Sequence, residues 1–310
     1  MVSRDLVHRF LKALDQEQGK APGTIQNYRR AYGYFWTYLQ SQGIKAEKAR
    51  ITRHHIQSWV VHMRTRGNSP STIRGRISAL SAMFHWMVRE GLLRGNPVSA
   101  ITRPPAQTWK PRGAVTPAQM DRIWAVAASG KRRGDPQARV ALLLMWQAGA
   151  RLNEVRMAEW EFIDLTKRAW DIRYGKGGQT RWVPLPVQVM RHLLILWENR
   201  GRPGSGPVLV TRQGTRTSNR ALYRKIKRIC RKAGMPHVSP HWFRHTFATR
   251  LGEIVVGDSP AALEKMRRIL GHRSITTTQI YLHVEEQDRT LVDLAFGRED
   301  FEKDDILTPS

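Results

Sequence analysis

The chain is short of cysteine, of acid and of long apolar runs, and each shortage closes off a class of function. A single cysteine, Cys230, stands among 310 residues, so no internal disulfide can form. No apolar stretch approaches the ~20 residues that a membrane-spanning helix needs. The opening residues, MVSRDLVHRFLKALDQ, interrupt their apolar positions with Asp5 and Asp15 instead of forming a signal core. A cytoplasmic protein fits these features. His8, His54, His55, His62, His85 and His192 lack metal-ligand spacing, and without cysteine or carboxylate clusters no zinc site is expected. Acids number 25 against 52 lysines and arginines, a formal net charge of +27 with a pI near 11.3. Such an excess calls for a polyanionic partner, because cations placed on phosphates release condensed counterions. Nucleic acid is therefore the expected partner, and a membrane is not.

What is present falls into two basic blocks. Length alone predicts about two domains. Residues 1–100 carry 16 basic and 5 acidic side chains, residues 114–284 carry 30 and 11, and residues 285–310 carry 3 and 9. Two basic blocks suit two domains gripping one duplex, while the acidic end (residues 298–310 form a tail) gains nothing from facing DNA. In the first block, glycines recur at positions 19, 43, 67 and 91. The patterns between them do not repeat, so they read as caps ending four helices. Each interval supplies one apolar helical face: Leu6, Phe10, Leu11 and Leu14; Ile25, Tyr28, Phe35 and Leu39; Ile56, Trp59, Val60 and Met63; then Ile73, Ile77, Leu80, Phe84 and Met87. Thr24 and Thr52 are candidate caps for the second and third helices, and Pro70 suits a first helical turn.

Residues 101–113, ITRPPAQTWKPRG, hold three prolines and no acid, which predicts an extended basic linker. The second domain, residues 114–297, opens with Thr116-Pro117 as a helix start and continues through an apolar helix at 140–146. The runs 170–174 and 181–185 read as strands joined by Gly175-Lys176-Gly177-Gly178, a hairpin signal. Helices follow at 187–197, 219–232, 240–251, 261–270 and 276–283. The fold class expected is mainly α with a small β-sheet, in two domains.

Within the second domain six residues form a kit for attacking a phosphodiester. Such chemistry needs cations on the nonbridging oxygens, an in-line nucleophile and a proton for the leaving oxygen, with preorganised donors worth ~10²–10³ in rate each. Arg151 and Arg244 offer planar, always-charged forks matched to phosphate, and His241 lies three residues before Arg244 on the same helical face. Lys176, at the hairpin tip, starts protonated and can donate to a leaving oxygen. His241 and His272 can move protons near neutral pH. Tyr281, nine residues after His272 in LGHRSITTTQIYLH, is the nucleophile candidate once nearby cations favour its phenolate. Taken singly, each has a bland reading: a surface arginine, a solvated turn lysine, a satisfied histidine, a core tyrosine. Glu154, three after Arg151, is placed to pair with an arginine and fix its rotamer, or else is an ordinary helix-surface glutamate. His245 reads as a supporting residue.

The order of these motifs resembles the tyrosine recombinases, also called the phage integrase family. There an arginine follows a glycine-rich helix end, a lysine occupies a hairpin turn, and a His-x-x-Arg helix precedes Leu-Gly-His and the tyrosine. This chain has Arg151, Lys176, His241 with Arg244, His272 and Tyr281 in that order. The resemblance implies that Tyr281 forms a 3′-phosphotyrosyl link, Lys176 acts as general acid, His241 acts as general base, and both arginines and His272 bind the phosphate. Because bond energy stays in the phosphotyrosine, it implies no metal, nucleotide or other cofactor. The helical first domain looks like the family's core-binding domain, the two domains together a DNA clamp, and the whole resembles the simple two-domain Xer-like members, working as a tetramer on paired sites. The stretch 252–265 is longer than the family pattern, and Phe243 stands where leucine is common. Two rival functions share the fold or the chemistry: a non-catalytic DNA-binding protein and a type IB topoisomerase. Residues 284–297 are expected to form a helix with Val284, Leu291, Leu294 and Phe296 apolar, docking either on a neighbouring subunit or on its own domain.

Overall fold

Four helices, each followed by a glycine in the left-handed region, build the first unit: α1 (Arg4–Gln16), α2 (Pro22–Ser41), α3 (Arg53–Thr65) and α4 (Pro70–Arg89). Gly19, Gly43, Gly67 and Gly91 take φ of +54°, +71°, +71° and +69°, a conformation only glycine adopts without strain, so each ends its helix where the spacing predicts. This computed structural model describes residues 4–45, 50–105, 114–129, 135–173, 180–254 and 286–296. The chain divides into two compact units, Met1–Lys110 and Pro111–Ser310.

The expected apolar faces meet in the first core. Phe10, Leu39, Ile56, Trp59, Met63, Ile77, Leu80 and Phe84 are buried, and Leu6, Ile25 and Tyr28 pack at its edge. Caps set the helix starts. The Ser69 hydroxyl accepts from the Thr72 N–H at 3.2 Å ahead of Pro70, and the Thr52 N–H donates to His55 Nδ1 at 3.2 Å. Thr24 is not a cap: α2 begins earlier, with Ala21 before Pro22, because proline at the first turn starts the helix without a donor to satisfy. The proline-rich stretch also joins this unit sooner than composition suggests. Ile101 is buried in the core, and Arg74 on α4 donates to the Pro104 carbonyl at 2.8 Å.

The second unit is built around α6 (Pro136–Trp146), in which every residue from Ala138 to Trp146 is buried. Packed on it are α5 (Pro117–Ala128), the short α7 (Leu152–Arg156), α8 (Val187–Glu198), α9 (Asn219–Lys232) and α10 (Pro240–Ile254). Thr116 accepts from the Gln119 N–H at 3.3 Å and Gln119 returns a bond at 3.0 Å, a reciprocal cap at the predicted helix start. A small antiparallel sheet runs β1 (Ile163–Asp164), β2 (Ala169–Ile172), β3 (Arg181–Pro184), with Trp170 opposite Val183 and Ile172 opposite Arg181. The two expected strands thus pair antiparallel, and the turn between them, 174–179, lies outside the described residues. The two-residue β1 was not expected, being too short to carry an alternating pattern. The segments 261–270 and 276–283, expected as helices, lie outside the described residues.

The last described helix, α11 (Glu286–Phe296), packs on its own unit, against α10 and β3. Its inward positions are Val292 and Phe296, each 1% exposed, while Leu294 is 56% exposed. Phe296 stacks on Phe247 with ring centres 5.4 Å apart and meets Trp146 edge-on at 5.9 Å. Asp293 pairs with Arg168 at 2.6 Å. Of the two docking partners expected for this helix, its own domain is the one these contacts correspond to within a single chain. An aromatic groove in the same unit covers its apolar side, and the i, i+4 pair Val292 and Phe296 defines that side.

Candidate active site

The chain leaves α6 through a turn that forces Arg151 out of the core. Gly149 sits at φ +61°, and a side chain on it would collide with the Phe247 ring. Arg244, one helical turn before Phe247 on α10, donates from Nη1 to the Gly149 carbonyl. The two α10 side chains therefore grip one glycine, the ring against its α-carbon and the guanidinium on its oxygen. Arg151 follows two residues later as the cap of α7, its side chain 26% exposed.

Beneath it lies Glu154, whose side chain is 1% exposed. The Arg151 backbone N–H donates to Glu154 Oε2 at 2.8 Å, and Arg151 Nη1 donates to Oε1 at 2.7 Å. Arg181, on β3, closes the other side with a parallel fork: Nη1 to Oε1 at 2.9 Å and Nη2 to Oε2 at 2.8 Å. Burial by itself raises the Glu154 pKa, but the bonds and charge of Arg181, joined by the bonds from Arg151, outweigh it and hold the carboxyl at about 2. Arg244 is pushed down to about 9, first by burial and then by the charges of Arg151 and Arg181, with Glu154 opposing. Three guanidinium groups around one carboxylate leave the cluster with excess positive charge. An anion bound beside the cluster relieves that repulsion, which is what a phosphate site requires.

The structure brings Arg151, Glu154 and Arg244 together as one cluster. His241 stands exposed on the first turn of α10, one turn from Arg244, and half-buried His245 adjoins it, with its carbonyl accepting from Thr249 Oγ1 at 3.1 Å. Lys176, His272 and Tyr281 lie outside the described residues. Arg181 is the residue that sequence reasoning missed. A signal existed: Arg181 alternates with Val183 on one strand face while Trp182 faces out, so a buried apolar face carried a cation that needed a carboxylate.

Elsewhere in this unit, α9 carries seven basic residues and no acid. Leu222, Ile226 and Ile229 are buried, while Arg220, Arg224, Arg228 and Arg231 are exposed, so one side of the helix is a cationic stripe. Cys230 is buried on it with its pKa pushed up to about 11 by burial, which makes it a poor nucleophile. Among the described residues no three metal-ligating side chains cluster, and no helix is long and apolar enough to cross a membrane.

Comparison with known proteins gives a consistent result. Residues 114–288 match the model of the "Phage integrase family", and residues 7–91 match "Phage integrase, N-terminal SAM-like domain". The tyrosine recombinase XerC of Xylella fastidiosa (strain M23) is 31% identical over 286 residues, covering 91% of this chain and 93% of that protein. Among solved structures, a lambda integrase (75-356) dimer bound to a COC' core site superposes with a TM-score of 0.69 at 20% identity, covering 92% of this chain and 100% of the other. A lambda integrase tetramer bound to a Holliday junction gives 0.65 at 19% identity, covering 90% and 79%. At these identities the two structures speak to the fold.

Proposed function

The chain belongs to the phage integrase family and is a site-specific tyrosine recombinase, and we propose that it cuts and rejoins duplex DNA through a 3′-phosphotyrosyl intermediate on Tyr281. The observation that carries this reading is the over-charged cluster of Arg151, Arg181 and Arg244 around Glu154, which is built to accept an anion. Arg151 and Arg244 bind the nonbridging oxygens of the scissile phosphate, with His272 as a third ligand. The Tyr281 hydroxyl loses its proton to His241, and its oxygen forms the new P–O bond. The bond to the 5′ oxygen breaks, and Lys176 protonates that oxygen. The free 5′-hydroxyl of another strand then attacks the phosphotyrosine and releases Tyr281. The ester exchange conserves phosphodiester energy, so the reaction consumes no cofactor.

Double-stranded DNA is the partner, held through the basic stripe of α9 and the charge of the first unit. Pairing of two sites calls for four subunits, by analogy with the lambda integrase tetramer on a Holliday junction. We infer a cytoplasmic location, a reading supported by the single cysteine, which allows no internal disulfide.

The test is a nicked suicide duplex incubated with the wild type and with Tyr281→Phe. The wild type is expected to give a covalent band in denaturing gels and the variant none, with DNA binding retained. An adduct formed by the Phe variant removes Tyr281 from its role. Relaxation of supercoils by the wild type without any recombinant product marks a topoisomerase instead.

A further inference from the structure

We propose that Arg181 is a positioning residue that keeps the charge of Arg151 available to the scissile phosphate. The proposal rests on the recombinase reading above. Its starting point is the saturation of Glu154. This carboxylate, 1% exposed, receives four donors: two from Arg181 and two from Arg151. A carboxylate has about four lone-pair positions, so its orientation has no freedom left. Arg151 alone is a sufficient counterion for Glu154. A pair of that kind would be neutral, and its arginine would meet a phosphate with its charge already spent. The second guanidinium, itself only 10% exposed, over-compensates the carboxylate. That surplus raises the repulsion felt by Arg244, which a purely structural pair has no reason to do.

The fork also ties two parts of the site together. Arg181 is the first residue of β3, five positions after Lys176 in sequence, and Glu154 is on α7, three positions after Arg151. The turn that carries the arginine and the strand that follows the lysine are thus joined through one rigid contact. A lysine in place of Arg181 keeps the positive charge but cannot make the planar two-bond fork.

The experiment uses the full-length protein with Arg181→Lys. Arg181→Ala leaves two hydrogen-bond positions of a buried carboxylate unmet and is expected to fold poorly, so the lysine variant is the informative one. Adduct formation is timed on a suicide duplex with a normal scissile phosphate and on one with a methylphosphonate there, which carries no charge for Arg151 to neutralise. On the normal phosphate the variant is expected to be slower by roughly 10²-fold, the scale of a small misplacement in a reacting site, with DNA affinity and its salt dependence unchanged. On the methylphosphonate most of that defect is expected to vanish. Equal slowing on both substrates with a lowered unfolding midpoint reduces Arg181 to a structural role and overturns the proposal. A salt slope smaller by about one contact makes Arg181 a direct phosphate ligand instead, and wild-type rates overturn it outright. If the wild-type protein forms no adduct on either substrate, the recombinase reading itself fails, and the proposal with it.

Discussion

The two units solve the problem of a core in different ways. Among the buried polar residues described, the first unit contributes Ser81, whereas the second buries Arg139, Glu154, Asp171 and His192, together with Gln147 and two threonines. The first unit meets its few buried polar groups with neutral bonds, such as the Tyr32 hydroxyl donating to the Ala79 carbonyl at 2.8 Å. It keeps its charges at the surface, where they stay solvated. The second unit takes ions out of water, which is expensive unless every lone pair is met. On the proposed reading, what it gains is a set of cations whose positions do not relax when charge develops on a substrate. Buried charge among the described residues is therefore concentrated in the second unit, and Glu154 lies in the cluster proposed as the active site.

Replacing Glu154 with alanine is the strongest way to test this contrast. It strands Arg151 and Arg181 in a nearly dry cluster, and breaking a buried pair costs about 3–5 kcal/mol. Calorimetry of the full-length protein should show the second unit unfolding early while the first unit's transition stays in place. A common shift of both transitions would break the contrast. Gly149→Ala comes next. It demands a left-handed residue, at about 1–2 kcal/mol, and drives a methyl into the Phe247 ring, at about 1–3 kcal/mol, which together displace the turn that carries Arg151. Denaturant unfolding and adduct formation should both suffer. A variant as stable as the wild type would show that the glycine's left-handed turn is not required.

Acid should separate the units with a smaller effect. The Glu154 carboxyl lies at about 2, below its ordinary 4.5, so its stabilising contribution is complete above the ordinary value and is lost as pH falls through the folded one. At 1.36 kcal/mol per pKa unit this amounts to about 3 kcal/mol at most. Thermal scans from pH 5 down to pH 2 are expected to show the second unit losing stability before the first, and the reverse order would count against the assignment. The mildest perturbation, Ser69→Ala, removes the hydroxyl that caps α4. It should cost about 1 kcal/mol, read in the first unit's transition with cleavage rate untouched.

Much of this molecule was legible because the deciding forces were local. The glycine caps, the Thr116 box and the apolar faces of α1 to α4 depend on backbone preference and on spacing within a turn or two. One failure was local, and another came from partners far away in sequence. Thr24 looked like a cap because its chemistry permits it, yet Pro22 sets the start of α2. Leu294 was counted on the inner face of α11, but the aromatic groove of Trp146 and Phe247 selects Phe296 and Val292 instead.

The site divides along the same line. Sequence by itself determined which residue types are present, their order along the chain, the two basic blocks and the arginine–glutamate spacing that makes Arg151 and Glu154 neighbours on one turn. Only tertiary structure decided that Arg181 shares that glutamate across 27 residues of chain, that Arg244 and Phe247 grip Gly149, and that α11 turns its apolar side inward. The physical reason is the range of the interactions: caps and helix faces are settled by neighbours in sequence, whereas the pairing of buried charges and the filling of an aromatic groove depend on which surfaces the folded chain brings together.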